Sequence, residues 1–439
     1  MPKFIKNFNN QKFYGACIAC VISLSANSIT LIEVVDHVLE THPTILANKK
    51  SMDVSEYNYY QTFGQFLPEI NLKNEQNRER SNNAPNSRPN KTHLNARTNT
   101  FQLSQNLFSG FKDWHANRAA LWRYMSVKES AAFNINSTVL DAIISYVSVL
   151  QQEKLLALAK ENKDFFQKIL DNLQKLFDTG TADKADYLLV KNNLQNANAT
   201  LIQTQKDYDS AVAKFKHLVS LSPKNLQPLK SISSKISNDV EREIEFALKH
   251  NSNIQETQAK INVLDYEFRM AAGTLMPSLD MLVSKSQSAN TGGLAGKSED
   301  VKVGITASLN LFKGGQNYIA AQSKNSEKLS LNWNLEATIR NLKQEIHETW
   351  LNIVNTIEKK QSIEEQILSA EQSLQSYLTL FDYNQAYLLN VLNAKKLLFT
   401  SQSENLINNS NKLIYEHRLL LLNNSLIPTL NEVYFKAEN

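Results

Sequence analysis

Forty-three carboxylates, eight histidines and two cysteines are the side chains of this sequence best suited to attack a substrate, ligate a metal or move a proton. Their spacing serves none of these ends. There is no HExxH pair to hold a metal, no GxxxxGK[ST] loop to cradle phosphates, no GxGxxG dinucleotide turn and no GxSxG nucleophile elbow. His42 and His250 fall within a residue of each other in two copies of one repeated phrase, which marks them as helix-end residues. The carboxylates lie along helical stretches. Solvated faces and inter-helix ion pairs account for them better than acid–base catalysis, which needs an enclosed pocket. No enzymatic activity, cofactor or metal site is expected, and a formal charge of +4 is too small to suggest nucleic acid as a partner.

Both cysteines lie in a segment that reads as an export signal. Lys3, Lys6 and Lys12 form a positive region, Phe13 to Leu24 an apolar one, and Ala26-Asn27-Ser28 supplies the small residues of a cleavage site. The apolar run is shorter than the ~20 residues of a membrane span. Residues 1–28 are therefore expected to be removed, leaving a start near Ile29, a charge of +4 − 3 = +1 and no thiol for a disulfide. A lipid-modified Cys20 is the alternative, although Cys17-Ile18-Ala19 before it is a poor lipidation signal.

What the remaining polar residues do depends on the elements that position them. From Lys112 to Asp178 no residue breaks a helix, and at ~1.5 Å per residue such a helix is roughly 100 Å long. Gly180 suits the left-handed turn that ends it. A second helix then runs back, with Val190, Leu194, Ala197, Leu201, Thr204, Tyr208, Ala211, Phe215 and Leu218 spaced alternately by four and three, as in a coiled-coil seam. From Gln316 to Ile427 there is again neither Gly nor Pro, and Leu392, Phe399, Leu406, Leu413 and Leu420 recur every seven residues. Asn384 takes the place of Gly180 (384 − 180 = 204). Asn106-Leu107-Phe108-Ser109-Gly110 and Asn310-Leu311-Phe312-Lys313-Gly314 precede the two long hairpins at the same offset, 310 − 106 = 204. Leu67-Pro68 and Met276-Pro277 match upstream, with 277 − 68 = 209. The chain is an internal duplication: 29–222 and 238–427, joined by a polar linker, 223–237, and followed by a short tail, 428–439.

Each copy begins with a capped helix. Thr30-Leu31-Ile32-Glu33 forms a capping box, and Asn238-Asp239 gives a second N-cap signal. The first helix bends or breaks at Pro43, runs to about Phe63 and stops before Gly64 and Pro68. Two β-hairpins follow their helices, at 69–107 and 278–311. The clearest strand is Val301 to Leu311, where apolar and polar residues alternate strictly; its partner carries Leu279, Met281 and Val283. Eleven residues is the length of a transmembrane strand, ~9–11. Two hairpins give only four strands, whereas membrane barrels begin at about eight. Strands that span a membrane would thus require the chain to oligomerise.

In this order, repeated twice, these features resemble the TolC family of outer-membrane channel proteins over essentially the whole mature chain. The resemblance implies a mainly α fold with β: a homotrimer in which each chain gives four transmembrane strands to one twelve-stranded barrel in outer-membrane lipid, with the long hairpins forming a periplasmic tunnel. It implies an exit duct that opens when a periplasmic adaptor and an inner-membrane transporter, ABC-type or proton-driven, dock on the helical tips. The tips are Thr179-Gly180-Thr181 and Tyr383-Asn384-Gln385. The pore constriction would be formed by Asp186, Asn390 and Asn393. In the family's best-known member the last two positions are aspartates, so the constriction here would be neutral. The Arg and Tyr that latch that member's tips match Ala386 and Phe381, which points to closure by packing at Phe381 and a hydrogen-bonded Asn ring. The alternative for Asn390 and Asn393 is plain helix surface. The two Asn-Leu-Phe phrases look more like the type I protein-secretion branch than the drug-efflux branch. A purely structural periplasmic coiled coil is the rival from another class, and such a rod has no need of the alternating run Val301 to Leu311.

Overall fold

A computed structural model of the chain describes residues 28–81, 92–180, 183–292, 295–382 and 387–435. The expected export signal lies outside them except for Ser28. Helix α1 (Leu31–Thr41) opens on the capping box: the Thr30 N–H donates to Glu33 Oε2 at 2.9 Å, and the Glu33 N–H donates to Thr30 Oγ1 at 3.3 Å. Pro43 takes the first position of α2 (Pro43–Gln61), where its missing N–H costs no helical bond. A 3-10 turn (Thr62–Phe66) leads into strand β1 (Glu69–Ser81) and then β2 (Thr92–Phe108). Gly110 and Phe111, both at positive φ, swing the chain into α3 (Lys112–Asp178), and α4 (Lys184–Val219) returns from an Asp183 N-cap.

The second copy repeats the order. It runs through α5 (Val240–His250), α6 (Ser252–Gly273), β3 (Ser278–Ala289), β4 (Lys297–Ser308), α7 (Gln316–Asp382) and α8 (Leu388–Leu422). Helices α3 and α7 each have 67 residues, and 316 − 112 and 388 − 184 both give 204.

The four strands form a single antiparallel sheet in the order β1-β2-β3-β4. Its register places Leu103 opposite both Ile70 and Val283, and Val283 opposite Val303. Residues directly opposite share a face. One face therefore carries Ile70, Leu72, Phe101, Leu103, Met281, Val283, Val301, Val303 and Ile305. The other carries mostly Thr, Ser, Asn and charged residues, with Leu94, Ala96 and Leu282 among them. The outer edges of β1 and β4 have no strand partner among the described residues. The strand expected to reach Leu311 stops at Ser308, and Leu311 and Phe312 continue as exposed chain, 88% and 82% accessible.

The largest core lies midway along the helices. Val34, Val38 and Ile45 meet Val139, Ile143 and Tyr146 of α3, Phe215 of α4 and Leu420 of α8. The apolar middle of α3, long enough to cross a membrane, is spent here on helix packing instead. Two expectations are corrected at this level. The linker is more than a polar spacer, because Leu226 and Ile232 enter the core and the linker's backbone is held. The Gln227 N–H donates to the Ile29 carbonyl at 3.1 Å, the Tyr146 hydroxyl lies within 2.9 Å of the Ile29 and Gln227 carbonyls, and fully buried Glu416 accepts the Ile232 N–H at 3.0 Å. Nor is the stretch after Ile427 merely a tail: a helix α9 (Leu426–Leu430) and a π turn (Asn431–Phe435) place Leu426 and Leu430 in the same core.

Candidate functional site

The first helical tip is built from its turn outward. Thr179 caps α3, its hydroxyl donating to the Leu176 carbonyl at 2.9 Å. Gly180 takes φ +74, and its N–H returns to the Phe177 carbonyl at 2.9 Å. Asp183 then caps α4 by accepting the Ala185 N–H at 3.0 Å. Phe177 and Tyr187 stack across the hairpin with centroids 5.3 Å apart, and Lys191 lies over the Tyr187 ring. In the sequence, two aromatics flanking the tip turn are the only signal of this clasp. Thr179 and Gly180 are exposed, while Thr181, Tyr383, Asn384, Gln385 and Ala386 lie outside the described residues.

Behind the tips the two helical hairpins of the chain lock together. Phe166 and Leu173 of α3 and Val190 and Leu194 of α4 pack on Leu388 and Leu392 of α8. Ala370 and Leu374 of α7 pack on Val391, Ala394 and Leu398 of the same helix. Phe381 is half-buried and touches both clusters, at the seam between the hairpins. Lys395 is nearly fully buried between them. Its ammonium reaches Glu161 at 3.0 Å and lies 5.2 Å from the centre of the Phe165 ring. Asp186 is exposed on α4, Asn390 is half-buried on the first turn of α8, and Asn393 is exposed one turn further on. With Val391, Leu392 and Ala394 facing the clusters, Asn393 shares the open face of α8 with exposed Leu389 and Leu397.

At the opposite end, the helices enter the sheet through a belt of exposed large side chains. Phe63, Phe66, Phe111, Trp114, Phe312 and Tyr318 are between 41% and 82% accessible. Aromatic girdles of this kind sit where a membrane barrel meets water. Above the belt come the apolar rows of the sheet, with Leu72, Val301, Val303 and Ile305 all more than 60% accessible. Such a surface has no place in water. The opposite face, with Ser284, Ser286, Thr98, Thr100 and Gly304, has the polar, small-residue character of a barrel lumen.

Between the sheet and the long hairpins, charged residues tie α3, α6 and α7 together. Arg123 reaches Glu267 at 2.7 Å, Lys324 reaches Glu267 at 3.2 Å, and Lys328 and Arg269 reach Asp265 at 3.0 and 2.9 Å. Partial burial opposes ionisation of Asp265, but the Lys328 hydrogen bond and the two cations outweigh it and hold its carboxyl below the usual range.

Comparison with known proteins agrees with this architecture. The model of the family described as "Outer membrane efflux protein" matches residues 34–219 and 244–424, one stretch in each copy. The chain is 22% identical over 304 residues to the outer membrane efflux protein BepC of Brucella suis, covering 69% of this chain and 66% of BepC, just short of two thirds. It is 22% identical over 370 residues to the outer membrane protein TolC of Escherichia coli, covering 79% of this chain and 72% of TolC. It is 20% identical over 318 residues to the alkaline protease secretion protein AprF of Pseudomonas aeruginosa, covering 70% and 65%. The fold superposes on the crystal structure of a membrane protein from Pseudomonas aeruginosa with a TM-score of 0.81 at 15% identity, over 90% of both chains. With a family match running through both copies of its repeat, the chain belongs to the outer membrane efflux protein family of TolC-like outer-membrane channels, which are not enzymes, and it places its sheet in the outer membrane and its helices in the periplasm.

Proposed function

We propose that three copies of this chain close one twelve-stranded barrel and one helical tunnel, and that the assembly is the exit duct of a type I protein-secretion system. The observation that carries the reading is the four-stranded sheet. It has an apolar face, a polar face and two edges unpaired among the described residues, so it needs further copies to satisfy its backbone in lipid. The tips around Thr179-Gly180-Thr181 and Tyr383-Asn384-Gln385 would meet a periplasmic adaptor, with an inner-membrane transporter behind it. Asp186, Asn390 and Asn393 would line the constriction, and Phe381 would pack the gate beside Ala386. Secretion is favoured over drug efflux by the two Asn-Leu-Phe phrases and by the likeness to AprF, whose name assigns it to alkaline protease secretion. Drug efflux is the second reading, favoured by the likeness to BepC.

The test compares a strain lacking this protein with its parent, reading secreted proteins by mass spectrometry beside drug and detergent sensitivity. Loss of a few proteins from the medium with little sensitisation is the expected result. Broad sensitisation with unchanged secretion would move the assignment to efflux.

A further inference from the structure

The sheet separates its charges by face, and the separation changes with height. On the face that carries the apolar residues, the register stacks successive rows. The row Ile70, Leu103, Val283 and Val303 is followed by Leu72, Phe101, Lys285 and Val301. Then the chemistry changes. The next rows, farther from the helices, hold Asn74, Asn99, Gln287 and Glu299, then Gln76, Arg97, Ala289 and Lys297, and finally Arg78 and Arg80 on β1. Five Lys or Arg and one carboxylate stand on this face, whereas the opposite face carries two lysines (Lys73 and Lys302) and five carboxylates (Glu69, Glu75, Glu79, Asp280 and Asp300). The single acid on the apolar face, Glu299, pairs with Lys285. Arg78, Arg80, Arg97 and Lys297 are exposed, and Arg78 and Arg97 line one shallow pocket of about 530 Å³ together with Gln76 and Asn95.

We infer that this basic band, directly above the apolar rows, is a binding surface for the phosphate groups of anionic lipid in the outer leaflet. The inference rests on the barrel reading of the sheet. A face that turns apolar residues to lipid must turn the continuation of the same face to the headgroups, because direction alternates strictly along a strand. At that level four cations stand without a carboxylate partner among the described residues, on the side away from the lumen. Cations on the inner side would meet cargo; on this side they meet only lipid or a neighbouring chain. Planar guanidinium groups such as Arg78 and Arg97 match phosphate oxygens two at a time. The flanking amides of Gln76 and Asn95 can donate to the same oxygens.

The experiment titrates lipid A, which carries phosphates on a diglucosamine, into the detergent-solubilised full-length assembly and counts bound lipid by native mass spectrometry. The wild type should retain lipid A and ignore phosphatidylcholine. Replacing Arg78, Arg97 and Lys297 together by Gln should weaken retention on the order of a hundredfold, at roughly tenfold or less per cation. Lys73→Gln with Lys302→Gln, on the opposite face, should leave it unchanged. Where the triple variant does not assemble, Arg97→Gln alone should still weaken retention severalfold. Equal retention by wild type and variants would overturn the inference, as would full displacement of lipid A by inorganic phosphate, which would mark a site for the free ion. Loss of the assembly in lipid-free detergent on Arg97→Gln would also overturn it, assigning the cations to contacts between chains. A wild-type chain that fails to enter phosphatidylcholine vesicles at all would instead break the barrel reading beneath it.

Discussion

Gly110 and Gly273 stand back to back where α6 meets the turn between β2 and α3. A Cβ on Gly110 would lie 2.4 Å from the Gly273 carbonyl oxygen, and one on Gly273 would lie 2.5 Å from the Gly110 carbonyl oxygen. No side chain fits there, and Gly110 also needs φ +67. The repeat gives each glycine a counterpart, since 110 + 204 = 314 and 273 − 209 = 64, and both positions are glycine. Neither Gly64 nor Gly314 has an atom of the described residues, its own chain neighbours aside, within 4 Å of its Cβ position. The contact made once inside the chain thus has both halves of a second copy left open, one at each flank, where the proposed ring of like chains would bring them together.

Gly110→Ala should destabilise the chain itself, by about 1–3 kcal/mol for the backbone conformation alone, read as a lower urea midpoint of helical signal. Gly64→Leu should leave that midpoint within about 0.5 kcal/mol and instead lower the temperature at which the detergent-extracted assembly dissociates. Equal effects of Gly64→Leu on both measurements would contradict the assignment of Gly64 to an interchain contact.

His417 gives the helical core a pH dependence. It is fully buried, its Nδ1–H donates to the Leu413 carbonyl at 2.7 Å, and its Nε2 has no partner among the described residues. Burial lowers its pKa, against the smaller upward pull of that hydrogen bond and of Glu416. The unfolded chain therefore binds the proton more readily. The neutral-His contribution is fully present above about pH 6.5 and is lost as pH falls below it, with a slope of at most ~1.4 kcal/mol per pH unit. Urea midpoints at pH 7.5 and 5.5 should fall less for His417→Leu than for the wild type; parallel falls would exclude His417 as the source.

Glu416 ties the linker to the core by accepting from Ser231 and Ser233 hydroxyls and the Ile232 N–H. Glu416→Leu leaves the buried Ile232 N–H without its acceptor and should cost about 1–3 kcal/mol. Protease cleavage within 223–237 should accelerate in the variant, and an unchanged digestion pattern would show that Ile232, Leu226 and the Gln227 backbone bonds hold the linker without Glu416.

The two faces of β4 give the membrane its own test. Val303→Lys on the apolar face should cost about 2–4 kcal/mol and reduce insertion. Thr306→Lys, on the opposite face, should insert normally and alter ion selectivity. At the proposed constriction, Asn390→Asp with Asn393→Asp should raise cation selectivity and block by multivalent cations in planar bilayers; no change in either would remove these residues from it.

The long helices were legible because Gly and Pro are absent from them, and β4 because its alternation is strict. The outer half of β1, Asn74 to Ser81, was not legible: it is polar on both faces, and its pairing with Thr92 to Asn99 fixes it rather than any pattern of its own. The linker reads as polar and the stretch after Ile427 as a short tail because Leu226, Ile232 and Leu430 are isolated apolar residues, and only the tertiary fold shows that they share one core. At the tip, the Gly180 turn could be read from residue type. The Phe177–Tyr187 clasp, and the placement of Phe381 on two clusters at once, depend on how the hairpins pack against each other.

Closure of one barrel by three chains would join the β1 edge of each chain to the β4 edge of the next. It is tested most directly by cysteine cross-linking in a chain with Cys17 and Cys20 replaced by serine. Leu72→Cys on β1 is paired in turn with Val301→Cys, Val303→Cys and Ile305→Cys on β4, and outer membranes are oxidised and run on a non-reducing gel. At least one pair should give a ladder that ends at three chains. No cross-link at any pair, or a ladder that ends at two or continues past three, would contradict it.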